Sequence, residues 1–261
     1  MPEHHASGLP ADWIGIALAA AAIGCYVAAV HRTRRRLPWP WRRVACWVAG
    51  VAAVTAAVVG PLADAAHQSF PAHMAAHLLI GMLAPLLLVL AAPVTLALRA
   101  LAVVPARRLS ALLRSLPVRF LTHPITAGAI NAGGLWLLYT TDVFARMHDE
   151  PLLAAAVNVH LLLAGYLFTA SMIGLDPDPH RASFALRAGV LLVVFAAHGV
   201  LAKWLVGHPP AGVPMAEAEA GGILMYYGGD VIDAVIIAVL CAQWYRATRP
   251  RGVPAAITRS A

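Results

Sequence analysis

Long apolar stretches dominate this chain, broken by short polar segments rich in arginine or histidine. Runs of spanning length fall at about 13–31, 41–62, 73–99, 125–141, 151–174, 184–206 and 222–246. Each is near the roughly 20 residues that a helix needs to cross a bilayer. The pattern predicts an all-α integral membrane protein, a seven-transmembrane helix bundle. The fourth run, "ITAGAINAGGLWLLYTT", is the shortest and most glycine-rich, and such small residues let helix backbones approach closely. The third contains Pro85 and Pro93, which predict a kink or an interfacial break near its inner end. No sequence repeat, low-complexity linker or soluble domain is visible. The expected division is a short extracytoplasmic N-terminus (1–12), a helical transmembrane domain (13–246) and a basic cytoplasmic tail (247–261).

Charge gives the bundle a direction. The connection "HRTRRRLPWPWRR" is strongly basic, the next even-side connection holds Arg99, Arg107, Arg108, Arg114 and Arg119, and the C-terminus adds Arg246, Arg249, Arg251 and Arg259. The N-terminus and the connection between the second and third runs have no arginine or lysine. The positive-inside rule then puts the N-terminus outside and the C-terminus in the cytoplasm. Trp39, Trp41 and Trp244 near the inner helix ends fit an aromatic belt. The start, "MPEHHASGLPADW", has no positive n-region of the kind a cleavable signal carries.

Composition agrees and narrows the partners. Of 261 residues, 61% are hydrophobic and 12% charged, about half the charged share of an ordinary soluble domain. The net charge of +7 is carried by arginines that flank apolar runs, so they read as orientation and anionic-lipid signals, and nucleic acid is not expected. Cys25, Cys46 and Cys241 are isolated within apolar runs; there is no paired-cysteine motif.

The chemistry-bearing residues gather on the outer side. His4, His5, His67, His148 and His208 sit in polar loops, where solvation accounts for them, and Met147, Met215 and Met225 lie on the same side. His73, Met74 and His77 stand at the mouth of the third run; His73 and His77 are four residues apart, one helical turn, and could chelate one ion. His198, Asp230 and Asp233 lie just inside the boundary, and His160 about 14 Å from the start of its helix. Tyr226, Asp230 and Asp233 form a polar stripe at i, i+4, i+7. Polar groups at this depth are expensive unless paired, so they are expected to face the bundle interior. Imidazole and thioether together suit copper, particularly Cu(I). A buried histidine hydrogen-bonded to Asp233 or Tyr226 would produce the same pattern, and Asp230 and Asp233 fit a supporting role as well as a ligating one.

Several motifs together resemble a known family. "HMAAHLLIGMLAPLLLVLAAPVTLALR", "HPITAG", "NVHLLLAGYLF", "DPDPHR", "AAHGVLAKWL" and "GGILMYYGGDVIDAVIIAVLCAQWYR" occur in that order over about residues 50–246. The set is similar to the seven-helix CtaG family of bacterial cytochrome c oxidase assembly proteins. The resemblance implies a non-catalytic assembly factor of the bacterial plasma membrane that aids copper insertion into a haem–copper oxidase. It implies His73, Met74, His77, His160, His198, Asp230 and Asp233 as the metal site, and oxidase subunits and a periplasmic copper chaperone as partners. Two departures stand out: the fifth-helix histidine has only Asn158 as a polar companion, and Ala91 replaces a family glycine.

Other classes fit less of the chain. A b-type cytochrome would use His77, His160 or His198 as axial haem ligands. A proton-coupled transporter would use Asp230, Asp233 and the histidines as a relay, but no paired inverted repeats are visible. Hydrolytic chemistry lacks a base, since HMAAH has methionine where HExxH has glutamate.

Overall fold

The computed structural model describes residues 9–34, 38–178 and 180–249, and among these every regular element is a helix. His4, His5, Arg251 and Arg259 lie outside the described residues. The helices are α1 (Leu9–Thr33), α2 (Trp41–Val58), α3 (Pro61–Ala66), α4 (Phe70–Leu90), α5 (Pro93–Ala100), α6 (Val103–Leu113), α7 (Leu116–Leu121) and α8 (Pro124–Thr140). They continue as α9 (Val143–Asp149), α10 (Pro151–Ile173), α11 (Phe184–Gly207) and α12 (Met215–Thr248). Among the described residues, six helices are long and apolar enough to cross a membrane: α1 from Asp12, α2, α4, α10, α11 and α12. The fourth predicted run forms α8, which at 17 residues is shorter than the other expected spans.

The bundle has two chemically distinct ends. One end, formed by α3, the start of α4 and α9, holds His67, His73, His77 and His148. The other, formed by the end of α1 with α5 and α6, holds Arg99, Arg107 and Arg114.

α4 is the most enclosed of the long helices, with over half of its spanning window buried (56%). α2, α10 and α12 pack around it. Both of its prolines have visible consequences. Pro85 has no N–H for the carbonyl of Gly81, four residues earlier, and the preceding turn widens into a π-helical turn over Leu79–Leu83. At the far end, Ala92 takes a left-handed conformation (φ 51°), after which Pro93 starts α5 in a new direction. The break predicted from Pro93 is therefore present, and the run from 73 to 99 is two helices.

Caps from distant elements fix both ends of this segment. The backbone N–H of Phe70 donates to Glu217 Oε2 of α12 at 2.8 Å, so a carboxylate sits on the N-terminus of α4. Asp176, in the connection after α10, does the same for α5.

Candidate functional site

α4 begins at Phe70, so His73 and His77 are both helical and both buried on one face. They line a cavity of about 100 Å³ together with His67, Met147, His148, Ala154 and Asn158. His67 comes from the turn after α3, Met147 and His148 from α9, and Asn158 from α10. The rings of His67 and His148 stand edge to face with centroids 6.3 Å apart.

A second, smaller cavity of about 30 Å³, close to the volume of one water, lies deeper. Its polar lining is His77, Asn131, His198 and Asp233, with Met82 beside them. His77 lines both spaces and so forms part of the wall between them. Neither ring nitrogen of His77 has a protein partner, and the same holds for His198 Nε2 and Asp233 Oδ1. The rings of His77 and His198 are nearly parallel, with centroids 6.2 Å apart. Buried polar atoms without partners are costly, and their concentration around two adjoining cavities distinguishes this region.

His73 is held differently. Its Nε2 lies 3.0 Å from the Tyr139 hydroxyl of α8, and its ring is enclosed by Phe70, Tyr139 and Phe144. The Tyr139 O–H also reaches Met74 Sδ at 3.8 Å. A tyrosine hydroxyl has one proton, so it either donates to His73 Nε2 or accepts from an Nε2–H while facing the sulfur, and only the second tautomer leaves the lone pair on Nδ1. His148 Nδ1 lies 2.9 Å from the Phe144 carbonyl, which only accepts, so Nδ1 carries the proton and Nε2 has the lone pair. That tautomer suits metal ligation.

The remaining sequence-predicted residues divide. His77, His198 and Asp233 converge on the deeper cavity, with Asp233 only 5% exposed. Met74 is fully buried but packs among Phe70, Tyr139 and Gly221 and lines neither cavity. His160 and Asp230, expected to face the interior, are exposed. His160 lies over Gly134 of α8, whose missing side chain gives the ring its room, and Asp230 lies at the exposed edge of the stripe it shares with the buried Asp233, three residues on. His67, Met147, His148, Asn131 and Tyr139 were not singled out as site residues. The polar-loop position that made His67 and His148 look merely solvated is also what brings them to the cavity mouth, where both remain exposed. Among the described residues, no three His, Cys, Asp or Glu side chains stand close enough to enclose an ion as they are oriented. The cysteines are free and line neither cavity.

Residues 24–247 match the family model of the cytochrome c oxidase caa3 assembly factor, Caa3_CtaG. The chain belongs to this family. Among curated proteins, this CtaG-family chain is 31% identical over 255 residues to an uncharacterized protein of Mycobacterium leprae (strain TN), covering 89% of this chain and 38% of the relative. It is 33% identical over 261 residues to uncharacterized proteins of Mycobacterium bovis and Mycobacterium tuberculosis, covering 90% of this chain and 39% of each relative. The chain thus spans about two-fifths of the length of the curated relatives it matches. No solved structure matches it.

Proposed function

We propose that this chain is a membrane-embedded assembly factor that takes up copper, as Cu(I), on the extracytoplasmic side and passes it to a haem–copper oxidase. α8 counts as a seventh span in this reading, since 17 residues reach the lower end of the length a crossing requires. The arginine-rich end then faces the cytoplasm, with the N-terminus outside, and the histidine-rich end faces outward. The role is non-catalytic, and the partners are oxidase subunits and an extracytoplasmic copper chaperone.

One observation carries the proposal: His77, with two unpartnered buried nitrogens, sits between a cavity reached by His67, His73, Met147 and His148 and a deeper one holding His198 and Asp233. Thioether is a soft donor that favours Cu(I), and imidazole is a good copper ligand beside it. The residues fit a cargo ion better than a resident one, because their side chains must rotate to close around it. His148 Nε2, the lone-pair nitrogen of His77 and, in the tautomer whose Nε2 donates to Tyr139, His73 Nδ1 are the atoms free to do so.

The test is anaerobic titration of the purified protein with Cu(I) against a chelator of known affinity. About one equivalent should bind, and His73→Ala combined with His77→Ala should abolish binding. Unchanged binding by that variant sinks the copper assignment. Deletion in the native host should lower oxidase activity in a manner relieved by added copper; full activity without the gene rejects the assembly role. A Soret band in the purified protein would instead favour the b-type cytochrome reading.

A further inference from the structure

At the opposite end of the molecule, a broad groove of about 610 Å³ runs between the end of α1 and the helices α5 and α6. Its polar lining is Thr33, Arg99, Arg107, Ser110 and Arg114, and its apolar lining is Leu98, Leu101, Val103 and Ala106. Among the described residues no carboxylate lines it. Asp176, the carboxylate that reaches α5, is already bonded to the backbone and hydroxyl of Thr95 and the backbone of Val94. Among the described residues, the one ion pair is Arg146 with Glu150, at the other end, so the three groove arginines have no acidic partner. Arg99 is positioned by Trp39, with its guanidinium carbon 5.4 Å from the ring centroid.

The helices that carry the groove are built for a membrane surface. α6, "VVPARRLSALL", exposes Val103, Val104 and Leu112 beside Arg107 and Arg108. α7 exposes Leu116, Phe120 and Leu121 beside Arg119. Large exposed apolar side chains interleaved with arginine on short helices, next to the ends of spanning helices, place these elements in the headgroup layer. The groove therefore offers cations and hydroxyls at headgroup level, with an apolar wall beside them for the start of an acyl chain.

We propose that this groove is a binding site for one anionic phospholipid, whose phosphate is held by Arg99, Arg107 and Arg114 with hydrogen bonds from Ser110. The site is independent of copper and of the histidine-rich end. Its consequence is a lipid requirement: the groove joins α1, the span with the fewest buried residues (11% of its window), to α5 and α6 through the lipid headgroup.

The experiment compares Arg107→Gln with Arg108→Gln. Both remove one charge from the same helix, but Arg107 lines the groove and Arg108 does not. The protein is reconstituted in nanodiscs of phosphatidylcholine with a minor share of phosphatidylglycerol, then released into mild detergent, and retained lipid is read by native mass spectrometry. The wild type should retain one phosphatidylglycerol in preference to phosphatidylcholine. Arg107→Gln should lower its retention about fivefold, the worth of one arginine at an anionic surface, and Arg108→Gln should leave it unchanged. Arg107→Lys, which keeps the charge, should recover part of the loss. Equal losses in Arg107→Gln and Arg108→Gln would reduce the effect to general surface charge and overturn the site. Absence of any preference for phosphatidylglycerol over phosphatidylcholine would overturn it too.

Discussion

Asp176 accepts a hydrogen bond from the backbone N–H of Thr95 at 2.7 Å and another from its hydroxyl at 2.6 Å, 81 residues away in sequence. The carboxylate also receives the Val94 N–H at 3.3 Å. It thereby caps α5 where Ala92 and Pro93 turn the chain away from α4, and it gives "DPDPHR" a structural task. Asp176→Ala should lower thermal stability in detergent by about 1–2 kcal/mol. Asp178→Ala, on an exposed carboxylate that among the described residues bonds the nearby His180 N–H alone, should change it by less than about 0.5 kcal/mol. Equal melting temperatures for the two variants would remove the cap from the account.

Gly165 of α10 packs directly onto the carbonyl oxygen of Gly81, the group left without its usual donor by Pro85. A side chain there would meet that oxygen and the Pro85 ring, so Gly165→Ala should destabilise by about 1–3 kcal/mol. Gly189 of α11 has open space at the same position. Gly189→Ala should be neutral or stabilising by up to about 1 kcal/mol, since alanine is the better helix former. Thermal unfolding of the two variants side by side checks the contrast.

These two contacts mark what a sequence reveals and what it withholds. The apolar runs and their arginine-flanked ends were legible because bilayer thickness imposes a length on every spanning helix. The break at Pro93 was legible because proline removes a backbone donor. Helical spacing alone put His73 and His77 on one face. What escaped was rotation about each helix axis. His160 and Asp233 are both ionisable groups in apolar helices, yet one lies over Gly134 on the exposed side and the other enters the deeper cavity. α10 and α11 carry apolar residues on every side, so periodicity gives no inward face to read. The loop residues His67 and His148 were hidden for another reason: only the packing of α3 and α9 over α4 brings them beside His73 and His77.

Tyr139 links α8 to α4 through a single hydroxyl shared by His73 Nε2 and Met74 Sδ. Tyr139→Phe keeps the ring among Phe70, His73 and Phe144 but leaves a buried imidazole nitrogen without a partner. The expected loss of stability is about 1–3 kcal/mol, read as a lower melting temperature in detergent. Retention of the wild-type melting temperature would mean that His73 finds another partner.

The exposed and the enclosed histidines should separate in their effect on copper. If the cavities around His77 form the uptake site, His77→Ala should weaken Cu(I) binding by at least about tenfold, and His148→Ala should weaken it measurably by removing the Nε2 donor at the mouth. His160→Ala and Asp230→Asn should leave the affinity within about twofold, because neither residue lines either of these two cavities. Asp233→Asn keeps the size of a cavity-lining side chain while removing its negative charge. A loss there without a loss in Asp230→Asn would assign the charge that stabilises the ion to the deeper cavity. Competition titrations on all five variants decide it, and a His160→Ala loss as large as that of His77→Ala would move the site away from α4.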